Sequence, residues 1–140
     1  MIILITLCAR RGSKGLPGKN KKKLAGKPLI VYSIEVAKKF AKIYNCDIAI
    51  STDDDEIKKI VMQYEISTNY KRPESLRTDN AGKIETINDL LKYEEAKNDF
   101  KYDYILDLDI TSPLRNVVDL SEAFEILIKD KLAYNLFSVN

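Results

Sequence analysis

A glycine-rich basic loop follows the first apolar run of the chain. Residues 2–7 are largely apolar, and residues 10–20 then contain three glycines, one proline and four cations. Glycine lets the backbone approach a ligand closely and adopt positive φ. Cations and free backbone N–H groups surround an anion that binds there. The loop therefore predicts a binding site for the polyphosphate of a nucleotide.

The loop differs from two common phosphate-binding motifs. The ATP/GTP P-loop has four residues between its glycines, followed by Lys and Ser or Thr. In that frame Ser13 stands at the first glycine position and Asn20 at the hydroxyl position. The dinucleotide fingerprint G-x-G-x-x-G also fails, because Gly12, Gly15 and Gly18 are spaced by threes. The spacing indicates a third kind of phosphate-binding loop.

Two carboxylates follow a later apolar segment. Asp107 and Asp109 alternate along a predicted strand, so both are expected on one face. A carboxylate beside a polyphosphate is costly unless a cation lies between them, and Mg²⁺ is the usual solution. The alternative is structural: one aspartate caps the strand and the other is solvated.

Composition excludes several function classes. The chain has no histidine, which excludes Ser-His and Cys-His nucleophile mechanisms and a His-ligated zinc site. Of the 23 cations, eight lie within residues 10–27, which contain no acidic residue. The rest of the chain contains the other 15 cations and all 21 acidic residues. This basic cluster could bind nucleic acid, but it has no aromatic residue for base stacking, so we expect no nucleic-acid partner. Cys8 and Cys46 are expected to be buried, reduced thiols in a cytoplasmic protein. Neither a signal peptide nor a membrane span is expected.

Strand and helix patterns alternate along the 140 residues, which suit one domain, 1–140. Strands are predicted at residues 2–8, 47–51, 104–108 (buried) and 136–139. Helices are predicted from Pro28 to about 41, from a cap at Thr52 or Asp53 to about 64, over 83–97, and around 120–128, with residues 70–82 as a polar loop. The helix at 83–97 should bury Ile84, Ile87, Leu91 and Leu90. This alternation predicts a mostly parallel sheet covered on both faces, with ligands beyond the carboxyl ends of the strands.

Five ordered segments resemble one family. Residues 9–20, Ala-Arg-Arg-Gly-Ser-Lys-Gly-Leu-Pro-Gly-Lys-Asn, resemble the N-terminal signature of CMP-sialic acid synthetases, the acylneuraminate cytidylyltransferases. The other four segments are Lys27-Pro28-Leu29-Ile30, Ser51-Thr52-Asp53-Asp54, Arg72-Pro73-Glu74 with Leu76 and Asp79, and Thr111-Ser112-Pro113-Leu114-Arg115.

The resemblance implies a three-layer, Rossmann-like α/β nucleotidyltransferase domain with Mg²⁺ as cofactor. It implies transfer of CMP from CTP to a nine-carbon sugar acid of the sialic, legionaminic or pseudaminic type, with pyrophosphate released. The sugar hydroxyl would attack the α-phosphorus directly. Two alternatives stay open: a CMP-Kdo-type sugar nucleotidyltransferase, and a fragment that binds CTP without turnover.

The resemblance also assigns roles to residues. Lys19 and Arg10 are implied to be catalytic. Nucleotide binding is implied for Arg10, Gly12, Ser13, Lys14, Lys19, Asn20, Arg72 and Asp79. Sugar binding is implied for Asp109, Thr111, Ser112 and Arg115, and metal binding for Asp109 and Asp107.

The chain departs from the family after Asp79, and the roles of two arginines stay open. The family has small hydroxyl residues after the aspartate, where this chain has Asn80-Ala81-Gly82-Lys83. Arg115 could face the sugar carboxylate or hold its own loop in place, and Arg72 could form a surface salt bridge instead. Residues 21–23 are expected to be mostly solvated lysines. Family members extend past residue 140, so the chain is C-terminally truncated relative to them. The missing portion is implied to supply homodimer contacts, part of the sugar pocket and two magnesium-binding aspartates.

Overall fold

The computed structural model describes residues 1–12 and 15–138 of the chain. Its strands are β1 (Ile3–Ala9), β2 (Lys23–Leu24), β3 (Lys27–Pro28), β4 (Cys46–Thr52) and β5 (Tyr104–Asp107). Its helices are α1 (Leu29–Ala41), α2 (Asp55–Gln63), α3 (Lys83–Asn98) and α4 (Val117–Lys129). Two short 3-10 turns cover Lys19–Lys21 and Glu74–Leu76.

The central sheet is parallel, with strand order β4-β1-β5. β1 pairs with β4 over its whole length, from Ile3 opposite Cys46 to Ala9 opposite Thr52. The apolar side chains of β1 are fully buried on both faces of the sheet, as expected for a central parallel strand. β2 and β3 form a separate antiparallel hairpin.

Helices cover both faces of this sheet. The larger core joins one face of β1 to α1, α2 and α4, and Phe40 of α1 meets Phe124 of α4 edge-on at 5.9 Å between ring centroids. The smaller core, on the other face, joins Leu4 and Ala49 to Tyr70 and to Leu90 of α3. The predicted three-layer α/β fold is confirmed.

Two of the predicted helix starts differ in detail from the structure. Asp54, rather than Thr52 or Asp53, caps α2 by accepting a hydrogen bond from the Glu56 amide at 3.0 Å. The prediction fails because Thr52 has another partner: its hydroxyl donates to the Ala9 carbonyl. That bond ties together the carboxyl ends of β1 and β4. Pro28 is the last residue of β3, so α1 begins one residue later than the proline.

The predicted buried face of α3 is confirmed for Leu90 and wrong for Ile84. Ile84 is 78% exposed, and the buried row is Thr86, Leu90 and Glu94, with Ile87 and Leu91 half-buried. These three buried residues are spaced by four, so they lie in one row along the helix. The small core receives Leu90 together with Leu91 and Tyr93, whereas Ile84, in the first turn of α3, lies outside it.

Two strand predictions also change. β5 ends at Asp107 and lies at the sheet edge, so Ile105 is 43% exposed rather than buried. Residues 136–138 form no strand, because they pair with no strand of the described chain. The last position of that predicted strand, Val139, lies outside the described residues.

Candidate functional site

A cleft of about 210 Å³ lies at the carboxyl ends of β1 and β5. It is lined by the glycine-rich loop, the loop before α3 and the turn after β5. The predicted site residues in its wall are Arg10, Gly12, Lys19, Asn20, Arg72, Asp109 and Thr111. The glycine-rich loop and the turn after β5 therefore meet beyond the carboxyl ends of the strands, as expected, whereas no residue of the 51–53 segment lines the cleft.

The glycine-rich loop turns sharply into the cleft. Gly18 adopts φ 69° and ψ 20°, a left-handed conformation that favours glycine. The 3-10 turn that follows carries Lys19 and Asn20. The buried Asn20 side chain donates a hydrogen bond to the Arg10 carbonyl at 3.1 Å and so fastens the two ends of the loop. Ser13 and Lys14, both predicted to bind nucleotide, lie outside the described residues.

Contacts with the β4–α2 turn hold the same loop from outside. The Arg11 amide donates to Asp53 at 2.7 Å. Lys21 Nζ lies 3.0 Å from Asp54 Oδ2 and 3.1 Å from Glu56 Oε2. Lys21 is therefore paired rather than solvated, which corrects the prediction for that residue. The next two lysines are exposed, as predicted.

Arg10 and Asp79, two predicted nucleotide-binding residues, contact each other. Arg10 Nη1 forms an ion pair with Asp79 Oδ1, joining the end of β1 to the loop before α3. Both side chains are partly exposed. The pair therefore engages one of the cations that the glycine-rich loop contributes.

Arg72 is a buried residue of the cleft wall. It is 3% exposed, and Nε and Nη2 donate to the hydroxyl and carbonyl of Ser51 at 2.9 Å and 3.0 Å. The alternative of a surface salt bridge is wrong, since Arg72 is buried and pairs with no carboxylate of residues 1–12 and 15–138. Burial lowers the pKa of Arg72, because it disfavours the charged form. A buried cation of this kind is suited to an anionic ligand.

Lys83 is a cleft residue that sequence reasoning left out of the site. It begins α3, and its Nζ lies 3.0 Å from Asp107 Oδ2. Asp107 Oδ1 accepts a bond from the Thr6 hydroxyl at 2.8 Å, so both carboxylate oxygens are engaged. Burial lowers the pKa of Lys83, but the neighbouring aspartates raise it more, so the net pKa lies above the usual value. The sequence signal that could have indicated Lys83 is its position directly after Gly82, at the predicted start of a helix.

Asp109 shapes the turn after β5. Its Oδ1 accepts bonds from the amide and hydroxyl of Thr111, at 3.0 Å and 2.8 Å. Burial raises the pKa of Asp109, but the Thr111 bonds and the nearby Lys83 and Arg115 charges lower it more, so the carboxylate stays ionised. Ser112 donates its amide to the Asp109 carbonyl at 3.2 Å, but its side chain is not in the cleft wall.

Arg115 holds the turn from behind. One guanidinium nitrogen donates to the Ser33 hydroxyl at 3.1 Å and to the Asp109 carbonyl. Arg115 is not part of the cleft wall. Of the two alternatives from the sequence, the structure supports the one in which Arg115 holds its own loop in place.

The residues fit a magnesium ion through Asp109 but not through Asp107. Within residues 1–12 and 15–138 no three Cys, Asp or Glu side chains cluster as metal ligands. Asp107 has both oxygens engaged, whereas Asp109 Oδ2 accepts no hydrogen bond from the described part of the chain. Mg²⁺ commonly takes one or two carboxylates plus substrate phosphates and water.

No described helix has the length and apolar character required to cross a membrane.

Comparisons with known proteins cover nearly the whole chain. The model of the cytidylyltransferase family matches residues 2–138. Post-translational flagellin modification protein B of Campylobacter coli is 40% identical over 129 residues, which are 92% of this chain and 54% of that protein. CMP-N,N'-diacetyllegionaminic acid synthase of Legionella pneumophila is 40% identical over 126 residues, 90% of this chain and 53% of the synthase. The chain thus spans about half the length of these curated relatives.

A solved structure shows the same fold. CMP:2-keto-3-deoxy-manno-octonic acid synthetase, complexed with CTP, matches with a TM-score of 0.71 and 21% identity. The match covers 94% of this chain and 49% of that one. The fold and the family match agree with the motifs found in the sequence. The chain belongs to the cytidylyltransferase family.

Proposed function

We propose that this chain binds CTP in the cleft and serves a cytidylyltransferase that transfers CMP to a nonulosonic acid and releases pyrophosphate. The observation that carries the proposal is the convergence of the glycine-rich loop with Arg72 and Asp109 in one cleft. Lys19 and Arg72 line it, and neither pairs with a carboxylate of the described chain. Two such cations are available to phosphate oxygens without displacing a protein anion.

The residues favour direct displacement at the α-phosphorus. The sugar hydroxyl would be the nucleophile, attacking in line with the leaving pyrophosphate. Cys8 is the only thiol in the cleft wall, and burial raises its pKa to about 11. It therefore stays a neutral thiol and a poor nucleophile. Catalysis would then depend on positioning and on neutralising charge as it moves to the leaving group.

Lys19 is the residue we assign to the leaving group. Its backbone is fixed by the left-handed Gly18 and by the buried Asn20 beside it. Lys19 is half-buried and lines the cleft, so its side chain is placed to contact a phosphate bound there. Magnesium, when bound, would neutralise phosphate charge, and Asp109 is the side chain that would hold it.

The names of two relatives support the proposed class of acceptor. One relative named above is a CMP-N,N'-diacetyllegionaminic acid synthase, and a pseudaminic acid cytidylyltransferase of Campylobacter jejuni is also similar. On the acceptor side of this cleft, Asp109 and Thr111 face the cavity while Arg115 is turned away. We propose that those two side chains contact the sugar.

The two free thiols support a cytoplasmic location.

A second candidate function is CTP binding without turnover by these 140 residues. It is favoured by the acceptor side, where two of the predicted sugar-binding residues, Ser112 and Arg115, lie outside the cleft wall. In this case a further portion of the enzyme would complete the sugar pocket.

Pyrophosphate release separates these possibilities. The purified chain is incubated with CTP, Mg²⁺ and, in turn, N-acetylneuraminic, legionaminic, pseudaminic and 2-keto-3-deoxy-octonic acids. Release with a nine-carbon acid supports the main proposal, and release only with the eight-carbon acid supports the CMP-Kdo alternative. Binding of CTP without release from any acid supports the second candidate. Absence of both binding and release contradicts the proposed function.

A further inference from the structure

The ion pair between Arg10 and Asp79 places a protein carboxylate on a cation that the sequence resemblance implies for nucleotide binding. Arg10 follows β1 directly and lines the cleft, and Asp79 lies in the loop before α3. We propose that Asp79 is an internal competitor for Arg10. It occupies the guanidinium in the nucleotide-free protein, and the triphosphate must displace it. This inference rests on the proposed function.

Electrostatics favour displacement over a shared contact. If Asp79 stayed on Arg10 while a triphosphate bound there, a carboxylate would lie against several negative oxygens. A single arginine cannot neutralise both. Lys19 and Arg72 carry no such competitor among the described residues, so Arg10 is the cation of the cleft wall whose availability depends on this aspartate.

The loop that carries Asp79 can move without disrupting the core. Asp79 is 37% exposed, and its loop is held by an Ala81 amide bond to the Thr78 carbonyl at 3.2 Å and an Arg77 bond to the Arg72 carbonyl at 2.7 Å. The buried Arg72 anchors to Ser51 rather than to this loop tip. Segments with few buried contacts open at low cost. The 77–82 segment therefore swings away when the phosphates take Arg10.

The two possible roles of Asp79 predict opposite changes in nucleotide affinity when its charge is removed. If Asp79 contacted the nucleotide favourably, removing its charge would weaken binding. If Asp79 competes for Arg10, removing its charge strengthens binding. The sign of one affinity change therefore decides between the two roles.

The test compares Asp79→Asn with the wild-type chain by calorimetric titration of inorganic triphosphate and of CTP. Glu122→Gln is the matched control, because it removes the same charge from an exposed position on α4. A partly exposed ion pair contributes modestly, so we expect about threefold tighter binding for Asp79→Asn and no change for the control. The gain should shrink as salt is raised. Equal or weaker binding by Asp79→Asn overturns the inference.

Amide hydrogen exchange on the nucleotide-free protein tests the pair itself. Asp79→Asn should speed exchange in residues 78–82 while α1 and β1 keep their wild-type rates. Equal exchange in that segment overturns the inference even if affinity rises. Failure of the proposed function looks different: neither the wild-type chain nor the variant then binds CTP or triphosphate.

Discussion

Ser51→Ala tests how the buried Arg72 is held. Ser51 is fully buried, and its hydroxyl accepts the Arg72 Nε bond at 2.9 Å while its carbonyl accepts Nη2 at 3.0 Å. Alanine keeps the carbonyl and removes the hydroxyl. One hydrogen bond of a charged group is then lost in a place that water does not reach. Such a bond contributes about 1.5–3 kcal/mol, so we expect the free energy of unfolding to fall by about 2 kcal/mol.

Urea denaturation measures this loss, and the chain offers a matched control. The hydroxyl of Ser121 on α4 is also buried but has no hydrogen-bond partner among the described residues. Ser121→Ala should therefore change the free energy of unfolding by less than about 0.5 kcal/mol or stabilise the protein. Ser51→Ala should also weaken CTP binding, since the guanidinium loses one of its two anchors to that residue. A Ser51→Ala variant that is as stable as Ser121→Ala refutes the reasoning.

Three further predictions concern single charges. Lys19→Ala should raise the Kd for CTP about tenfold or more, because a charge-assisted hydrogen bond to phosphate is lost. The control Lys23→Ala, at an exposed position, should change the Kd less than about threefold. If calorimetry gives equal effects for the two variants, Lys19 is not a residue of the site. Asp109→Asn should bring the Kd for CTP in Mg²⁺ close to the value in EDTA. If Mg²⁺ lowers the Kd of the variant as much as that of the wild-type chain, Asp109 only forms the turn and does not hold the ion. Burial raises the pKa of Asp54, but the Lys21 ion pair and the α2 amides lower it more, so the net pKa is depressed. Its stabilising contribution is thus complete above the unfolded value near 3.9 and is lost as pH falls through the lower folded pKa. Asp54→Ala should lower the free energy of unfolding at pH 7 by about 1 kcal/mol and flatten its decline in acid, and denaturation curves of unchanged slope against pH would contradict this.

The sequence predicts the rim of the sheet well because two local patterns determine it. The apolar run of β1 leads directly into a loop whose glycines and cations have a clear physical purpose. The rule that parallel strands present their carboxyl ends together then brings the turn after β5, with Asp109, to the same edge of the sheet. Both steps need only sequence spacing and topology. Arg72 follows no strand and is held at this edge by its hydrogen bonds to Ser51 of β4.

The pairings inside the site could not be predicted in the same way. Lys83 meets Asp107, Arg10 meets Asp79, and Arg115 meets Ser33 across 82 residues of chain. Which charge meets which depends on side-chain positions in three dimensions, and sequence spacing does not encode them. The prediction for Ile84 failed for a related reason: apolar content alone does not show which side of α3 meets its neighbours, and Ile84 lies outside the small core.

Calorimetric titration of the chain with CTP, UTP, ATP and GTP in Mg²⁺ tests the central claim most directly. The claim is that the cleft formed by the glycine-rich loop, Arg72 and Asp109 is a CTP site. We predict saturable binding of CTP that exceeds binding of the other three nucleotides and is reduced by Lys19→Ala. Absence of binding by all four, or CTP binding that Lys19→Ala leaves unchanged, would contradict the assignment of this cleft.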